Sequence, residues 1–301
     1  MQSTAMLLGS ALLLTVCLAA CGSESGESES AGTVSIDERR WIDTARITLG
    51  SPRELRLRTW APASPRPAPL LLLAHGFGGL PEKFEAMAID FARLGYFVAA
   101  PAFPLTNEAT PGGHQSHLGD FRNQPADVSF VLDRLLEANA IPSDPVFGRI
   151  DPTGIFLFGH SLGGVTTLGL IRHSCCRDSR IHAAILADTP DFLESGFRDS
   201  IEPLPIRTLV LHGTADATVD YAAAPDLLTS LLPPAYLVGI AGAGHSEAFE
   251  DQTVPALPQR LAAEKAILSF LDFVRTNDTE SFLRELDQLA MDGHPVQWKS
   301  E

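Results

Sequence analysis

The stretch at residues 154–164, Gly-Ile-Phe-Leu-Phe-Gly-His-Ser-Leu-Gly-Gly, constrains the fold more than any other part of this sequence. Its apolar run at 155–158 predicts a short buried strand, and residues 165–171 predict a helix. Between them lies Gly-x-Ser-x-Gly, a turn whose glycines leave room for a strained serine at its tip. The pattern predicts that Ser161 is an exposed nucleophile at the start of the helix. The alternative is an ordinary strand-to-helix turn in which Ser161 only caps the helix.

Apolar runs and helical spacings alternate along most of the remaining chain. Continuous apolar runs predict buried parallel strands at 70–74, 96–100, 183–187, 208–212 and 235–240. Amphipathic spacing predicts helices at 83–94, 123–139, 220–232, 256–275 and in the tail from residue 279. Residues 45–49 and 54–60 predict an edge hairpin around Gly-Ser-Pro. The order predicts an α/β fold with a mostly parallel, doubly wound sheet flanked by helices.

The N-terminal residues predict export rather than folded structure. Residues 1–21 read as a signal peptide, with an apolar core at 6–20 that is too short for a membrane span. The segment ends Leu-Ala-Ala-Cys, which resembles a bacterial lipobox with Cys21 as the lipidated residue. Residues 22–40 predict a flexible Ser/Glu/Gly tether, and 41–301 the folded domain. A plain cleaved signal followed by release is the alternative to a lipoprotein of the cell envelope.

The charge balance argues against nucleic acid as a partner. The 301 residues carry a formal net charge of −15, and the basic residues form no patch in the sequence. The acidity fits a soluble, self-repelling surface, so membrane contact is predicted only through a lipid anchor at Cys21. Cys175 and Cys176 are adjacent and lack the spacing of a metal site. The two cysteines are either buried thiols or a disulfide formed with each other, and we assign them no function.

A serine hydroxyl is a poor nucleophile near neutral pH and needs a base and a carboxylate that orients the base. His245 follows the last apolar strand in Ala-Gly-Ala-Gly-His, where small residues allow a sharp turn, and it is the predicted base. His160 lies beside Ser161 and is predicted to point elsewhere. Asp216, just past the strand at 208–212, is the predicted acid, and Asp188, past the preceding strand, is the alternative.

A serine that attacks a carbonyl group also needs two backbone N–H groups that stabilise the negative oxygen of the tetrahedral intermediate. Leu162, directly after the predicted nucleophile, is one predicted donor. The other comes from the loop His-Gly-Phe-Gly-Gly at 75–79, with Phe77 favoured and Gly78 as its alternative. An ordinary glycine turn into a helix is the other interpretation of this loop.

Four motifs together resemble a known superfamily. His-Gly-Phe-Gly-Gly, Gly-His-Ser-Leu-Gly-Gly, His-Gly-Thr-Ala-Asp and Gly-Ala-Gly-His follow one another as in α/β-hydrolases. Over residues 42–275 the chain resembles their dienelactone-hydrolase-like group, with chlorophyllase, platelet-activating-factor acetylhydrolase and cutinase or polyester-hydrolase relatives. Dienelactone hydrolases proper carry a cysteine nucleophile where this chain has Ser161, so their chemistry is not implied. Phe77 could correspond to the aromatic residue that polyester-hydrolase relatives carry after the oxyanion glycine.

The resemblance implies a secreted serine esterase with an acyl-enzyme on Ser161 and a Ser161–Asp216–His245 triad. It implies a small-molecule or polymeric ester as substrate and no cofactor or metal. A lipase, a polyester hydrolase or an amide hydrolase on the same fold are alternatives, and a non-catalytic binding protein is the alternative from a different class. His114-x-x-His117 with Asp120 is better explained as an exposed insertion loop than as a metal site, because no further ligand of matching spacing appears.

Overall fold

Nearly every apolar run in the sequence forms a strand of one mixed sheet in the computed structural model. The structure describes residues 33–190, 196–197, 199–251, 258–291 and 296–300. The predicted signal peptide, Cys21 and residues 22–32 of the predicted tether lie outside these ranges. The described residues fall within a single compact unit. None of their helices combines the length and the apolar character that crossing a bilayer requires.

The strands and helices alternate as the sequence predicted. The strands are β1 (Ser35–Thr48), β2 (Ser51–Ala61), β3 (Ala68–Ala74), β4 (Phe97–Ala102), β5 (Ile150–His160), β6 (Ala183–Ala187), β7 (Arg207–Gly213), β8 (Ala235–Ile240) and β9 (Val296–Ser300). The helices are α1 (Glu85–Arg93), α2 (Gln124–Ala140), α3 (Leu162–Arg172), α4 (Ala224–Thr229), α5 (Pro258–Thr276) and α6 (Thr279–Met291). Short 3-10 helices at Pro81–Phe84, Leu118–Asn123 and Tyr221–Ala223 precede α1, α2 and α4.

The sheet has a parallel centre and antiparallel edges. Within the described residues its order is β1-β2-β4-β3-β5-β6-β7-β8-β9. Strands β3 to β8 pair with one another in parallel. At the edges β2 pairs antiparallel with β4, β1 with β2, and β9 with β8. The central strands are buried along most of their length, which explains why they read as continuous apolar runs rather than as alternating patterns.

Two apolar cores cover the two faces of the sheet. Side chains of α1, α5 and α6 pack on one face, around Phe84, Phe158 and Phe270. Side chains of α2, α3 and α4 pack on the other, around Leu132 and Leu168. This doubly wound arrangement confirms the predicted fold class.

The folded region begins earlier than the sequence indicated, which corrects the predicted tether. β1 starts at Ser35, whose register partner is Ala61 at the end of β2. The segment looks like a tether because most of its side chains are polar and exposed on the hairpin. Tertiary contacts secure it, since Arg39 forms an ion pair with Asp144 at 2.9 Å.

The polar C-terminal tail hides a strand that the sequence analysis missed. β9 pairs antiparallel with β8, so that Trp298 lies opposite Val238. Val296 and Trp298 pack against the core, and the Trp298 indole donates a hydrogen bond of 3.0 Å to Asp287. Only five residues long, β9 carries too few apolar positions to be distinguished from a polar tail.

The strand order places the candidate site. β3 lies between β4 and β5, so the connections from β3 and from β5 leave toward opposite sides of the sheet. Ligand sites of parallel α/β sheets form at such a switch point, outside the carboxyl ends of the strands. Ala74 and Gly159 are register partners near the ends of β3 and β5. The glycine loop after β3 and the serine turn after β5 therefore emerge side by side.

Candidate active site

Ser161 occupies a strained turn between β5 and α3. Its backbone has φ +52° and ψ −118°, a conformation that non-glycine residues rarely adopt. Glycine is required on both sides, because a Cβ at Gly159 would overlap the carbonyl oxygen of Gly163 and one at Gly163 would overlap that of Ala74. The close packing holds the turn shut and presents the serine hydroxyl at the end of the sheet.

The imidazole of His245 meets this hydroxyl. His245 lies on the loop after β8, and its Nε2 is 2.9 Å from Ser161 Oγ across a sequence separation of 84 residues. Its Nδ1 is 2.7 Å from Asp216 Oδ2, on the loop after β7. Because a carboxylate only accepts hydrogen bonds, Nδ1 carries the proton and Nε2 is the acceptor for the serine hydroxyl.

Backbone donors fix the carboxylate. Asp216 Oδ1 accepts hydrogen bonds from the N–H groups of Thr218 at 2.7 Å and Val219 at 2.9 Å. Burial by itself would raise the pKa of Asp216, but the hydrogen bonds from His245, Val219 and Thr218 outweigh it and lower that pKa. Burial lowers the pKa of His245, and the hydrogen bond to Asp216 opposes this only in part. The pair is therefore a carboxylate and a neutral imidazole at pH 7, the state in which Nε2 can take a proton.

Asp188, the alternative acid, does not reach His245. Its Oδ1 accepts the Gly213 N–H at 2.8 Å, while its Oδ2 is buried without a hydrogen-bond partner in the described structure. Burial raises the pKa of Asp188 to about 8. At neutral pH it is a protonated group beneath the site, and the structure brings Asp216 rather than Asp188 into contact with the imidazole.

The glycine loop after β3 lies against Ser161. A Cβ at Gly76 would be 3.1 Å from Ser161 Cβ, so a side chain there would crowd the turn. Gly78, the alternative oxyanion donor, already gives its N–H to the carbonyl of Thr106 at 2.7 Å. Within the described part of the chain, the backbone N–H groups of Phe77 and Leu162 have no protein acceptor. Neither predicted donor is therefore already engaged by another described group of the protein.

Comparisons with known proteins bear on the fold. No protein-family model matches this sequence, and no curated protein matches it. Among solved structures, the chain is similar to a ferulic acid esterase from Streptomyces cinnamoneus, with a TM-score of 0.61 and 20% identity over 89% of this chain and 96% of that one. This structural similarity, the strand order and the serine turn together establish the fold. The chain has the α/β-hydrolase fold.

On this α/β-hydrolase scaffold, the segment between β4 and α2 is folded onto the glycine loop. His75 is buried and braces both parts: its Nδ1 donates to the Gly76 carbonyl at 2.8 Å, and its Nε2 accepts the Phe103 N–H at 3.0 Å. The ring of His114 packs edge-on against Phe77, with centroids 4.7 Å apart. The segment is thus one wall of the site rather than a detached surface loop.

Gln124 links the two sides of the site from below. Its amide nitrogen donates to Thr106 Oγ1 at 2.7 Å, and Thr106 in turn holds Gly78. Its amide oxygen accepts the hydroxyl of Thr166 on α3, the helix that Leu162 begins. Gln124, Thr106 and Thr166 are fully buried, so the bridge between the glycine loop and the nucleophile helix is shielded from water.

His160 is a residue whose role the sequence analysis missed. Its ring contacts the loop that carries His245: Nε2 lies 2.7 Å from the carbonyl oxygen of His245. Its Nδ1 faces Glu250 Oε1 at 3.3 Å. The only local signal was a histidine inside an otherwise apolar elbow, because its partners are far away in the sequence.

Among the residues that the structure describes, two groups of side chains could offer three ligand atoms to a metal, and both include Asp188. They are His160, Asp188 and His245, and Asp188, His212 and Asp216, with ligand atoms within 4.8 Å of one another in each group. Each group uses a side chain of the Ser161–His245–Asp216 hydrogen-bond chain. A cation in either place would compete with that chain for His245 or Asp216, so neither arrangement suggests a separate metal centre.

The structure also shows the contacts of the two adjacent cysteines and of the possible metal-binding fragment. Cys175 and Cys176 form a disulfide bond with each other, so of the two open interpretations the vicinal disulfide is found. Of the possible metal fragment, His114 packs on Phe77, and Asp120 forms an ion pair with Arg53 at 2.8 Å.

Proposed function

We propose that this chain is a serine esterase that hydrolyses carboxylic esters through an acyl-enzyme on Ser161. The observation that supports this is the hydrogen-bond chain from Ser161 Oγ through His245 to Asp216, mounted on a strained turn of an α/β-hydrolase fold. In other proteins such a chain makes a serine hydroxyl nucleophilic at neutral pH.

The proposed reaction begins when Ser161 Oγ attacks the ester carbonyl and its proton passes to His245 Nε2. The tetrahedral oxyanion accepts hydrogen bonds from the N–H groups of Phe77 and Leu162. The intermediate collapses, the C–O bond to the alcohol breaks, and His245 returns the proton to the leaving oxygen. Water, deprotonated by His245, then attacks the acyl-enzyme and releases the acid and free Ser161.

Asp216 supports both steps without taking a proton itself. Its carboxylate keeps the proton of His245 on Nδ1 and stabilises the imidazolium that forms transiently. Each backbone donor to the oxyanion lowers the barrier by about 3 kcal/mol in comparable sites. The proposed mechanism calls only on side chains, backbone and water, with no metal or organic cofactor.

An ester is proposed as the substrate, either a small molecule or a polymer. The similarity to a protein described as a ferulic acid esterase favours esters over amides. Phe77 is 38% exposed beside the site and offers an aromatic surface to a substrate. Because of this exposed ring, a polyester hydrolase or a lipase is the second candidate function. Membership of the dienelactone-hydrolase-like group stays a prediction.

Export and anchoring are proposed from the sequence. The signal peptide and Cys21 would place the enzyme in the cell envelope as a lipoprotein, with plain secretion as the alternative. Metabolic labelling with a radioactive fatty acid tests this, since label that persists in Cys21→Ser would contradict the anchor.

The activity is tested with p-nitrophenyl esters from acetate to palmitate, together with methyl ferulate. We expect hydrolysis that Ser161→Ala abolishes and that Ser246→Ala retains, since Ser246 lies beside His245 but outside the hydrogen-bond chain. A maximum at short acyl chains indicates a small pocket, whereas a maximum at long chains favours a lipase or polyester hydrolase.

A second assay separates catalysis from binding. A fluorophosphonate probe should label the wild-type chain at Ser161 and leave Ser161→Ala unlabelled. A folded wild-type chain that neither reacts with the probe nor cleaves any ester would reject the esterase and leave a binding protein on a hydrolase scaffold. Probe labelling without ester cleavage would instead point to an amide hydrolase.

A further inference from the structure

Beneath the proposed catalytic base lies a second histidine that the mechanism does not use. The side chain of His160 is only 2% exposed, and its ring centroid lies 5.0 Å from that of His245. It touches the loop of His245 twice, at the His245 carbonyl oxygen through Nε2 and at Glu250 through Nδ1. These two contacts determine where its protons must be.

A carbonyl oxygen can only accept, so Nε2 of His160 carries a proton and donates it to His245 over 2.7 Å. In a neutral ring Nδ1 would then present a lone pair to the Glu250 oxygen 3.3 Å away, and the two acceptors would repel. A proton on Nδ1 turns this contact into an ion pair. Its direction lies off the line of a hydrogen bond, so the attraction is mainly between the charges. The geometry therefore favours an imidazolium.

The groups around His160 leave Glu250 as its counter-ion. Asp188 Oδ2 is 3.9 Å from His160 Nε2, but burial raises the pKa of Asp188 to about 8, so it is protonated at pH 7. His75 and Lys83 also lie close enough to Glu250 to influence its charge. Burial holds the pKa of His75 at about 4, so this ring is neutral, while Lys83 favours the ionised form of Glu250.

We propose that Glu250 keeps His160 as a buried imidazolium, and that this cation is a positioning residue for His245: it anchors the backbone of the base and disfavours a second positive charge on the neighbouring ring. The inference rests on the proposed function of His245. It assigns His160 no contact with the substrate, because its polar atoms face Glu250, Asp188 and the backbone of His245.

Two pKa directions agree with this arrangement. Burial is the largest single influence and would lower the pKa of His160, but Glu250 together with Asp188 and the His245 carbonyl outweighs burial and raises it. For His245, burial lowers the pKa first, and the charge of His160 lowers it further, against the opposing effects of Asp216 and Glu250. Removing the cation should therefore raise the pKa of His245 and keep the base protonated up to a higher pH.

The test compares His160→Gln with wild type in the full chain. Glutamine can keep the hydrogen bond to the His245 carbonyl but has no charge. We expect the acid limb of kcat/KM for p-nitrophenyl acetate to move up by about one pH unit, while the rate on the alkaline plateau stays within about threefold. Glu247→Gln is the matched control, because it removes an exposed carboxylate from the same loop while glutamine can still accept the Gly244 N–H, and it should leave the limb in place.

Nitrogen-15 NMR of the histidine rings tests the charge state directly and needs no activity. With His160→Gln used for assignment, both nitrogens of His160 should be protonated at pH 7 in wild type. Glu250→Gln should make the His160 ring neutral. This variant still tests the proposal if His160→Gln does not fold.

A neutral His160 in wild type would overturn the inference, and so would an acid limb that stays in place in folded His160→Gln. A plateau rate that collapses with an unshifted limb would reduce His160 to a structural role. Absence of Ser161-dependent activity in wild type would instead reject the proposed function, because the NMR result on His160 stands independently of it.

Discussion

At the scale of single residues, the two candidate acids show how position on a loop decides a role. Asp188 and Asp216 follow neighbouring parallel strands, and either could have been placed beside His245 from the sequence. Asp216 lies a few residues beyond its strand, on a turn that carries its carboxylate to the imidazole. Asp188 follows its strand directly, at φ +46°, and its side chain turns beneath the sheet edge toward Gly213.

Asparagine substitutions should separate these two residues by activity. Asp216→Asn would present an amide N–H to His245 Nδ1, force the proton onto Nε2, and lower kcat by about 10⁴-fold, as in triads of this type. Asp188→Asn should keep kcat within about threefold, because it does not touch the imidazole. Steady-state kinetics on one p-nitrophenyl ester checks both variants, and similar losses in the two would show that our assignment of the acid is wrong.

Asp188→Asn also has a pH-dependent effect on stability. The folded-state pKa of Asp188 is about 8 against an ordinary 3.8, so its stabilising contribution is complete below the unfolded-state pKa and is lost as the pH rises through the folded-state value. Asparagine has no such dependence, can accept the Gly213 N–H, and tolerates positive φ. We expect the Tm of Asp188→Asn to exceed that of wild type by a margin that grows from pH 4 to about pH 8. Thermal melts across this range measure it, and a margin independent of pH would contradict the buried, protonated carboxyl.

At the scale of secondary-structure elements, the site depends on the distance between the β3 loop and α3. In the described part of the chain, no hydrogen bond joins the β3 loop to the Leu162 N–H or α3 to the Phe77 N–H. Gln124, at the start of α2, joins them through Thr106 on one side and Thr166 on the other. The N-terminus of α2 is thus a spacer whose buried hydrogen bonds set where the loop stands relative to the nucleophile helix.

Thr166→Val tests this spacer while nearly preserving side-chain volume. The change leaves the amide oxygen of Gln124 buried without its donor, which destabilises the bridge by about 1–3 kcal/mol. We expect kcat to fall about tenfold with KM nearly unchanged, since the oxyanion donors would lose alignment.

Thr166→Ser is the matched control for this prediction, because it keeps the hydroxyl and should retain at least half of the wild-type kcat. If Thr166→Val and Thr166→Ser behave alike, the hydroxyl does not matter and the effect belongs to packing.

At the scale of the whole molecule, one buried cation ties the N-terminal hairpin to the body of the protein. Arg53 on β2 is 2% exposed and forms ion pairs with Asp120 at 2.8 Å and Asp127 at 2.6 Å. Asp120 lies in the 3-10 helix before α2 and Asp127 in the first turn of α2, next to the segment that packs on the glycine loop. The hairpin, the wall of the site and α2 therefore share one charged junction.

Arg53→Met should destabilise the fold strongly. The substitution leaves Asp120 buried without its arginine and Asp127 with only Arg46, at 2.7 Å, and breaking a buried pair in this way lowers the free energy of unfolding by about 3–5 kcal/mol. Arg40→Met is the control, because Arg40 pairs with Glu54 on the exposed face of the same hairpin and should change stability by less than about 1 kcal/mol. Denaturant unfolding measures both, and equal losses would contradict a special role for the buried junction.

The strands, the helices and the serine turn were predictable because each is encoded locally. Apolar runs report burial on both faces of a sheet, and helical spacing reports one buried face, so the central strands and most helices lie within a few residues of their predicted bounds. The glycines around Ser161 reflect a steric demand of the turn itself. From these local rules the sequence determined the α/β-hydrolase fold and placed His245 on the loop after the last parallel strand.

Only the tertiary structure decided how distant loops meet. Whether Asp216 or Asp188 contacts His245, how Gln124 joins two elements, and where the protons of His160 lie all depend on pairs far apart in the sequence. β9 becomes a strand only because β8 offers an unpaired edge. Hydrophobic periodicity carries information about burial within an element, whereas hydrogen bonds and ion pairs between loops are determined by directions in space that no local pattern records.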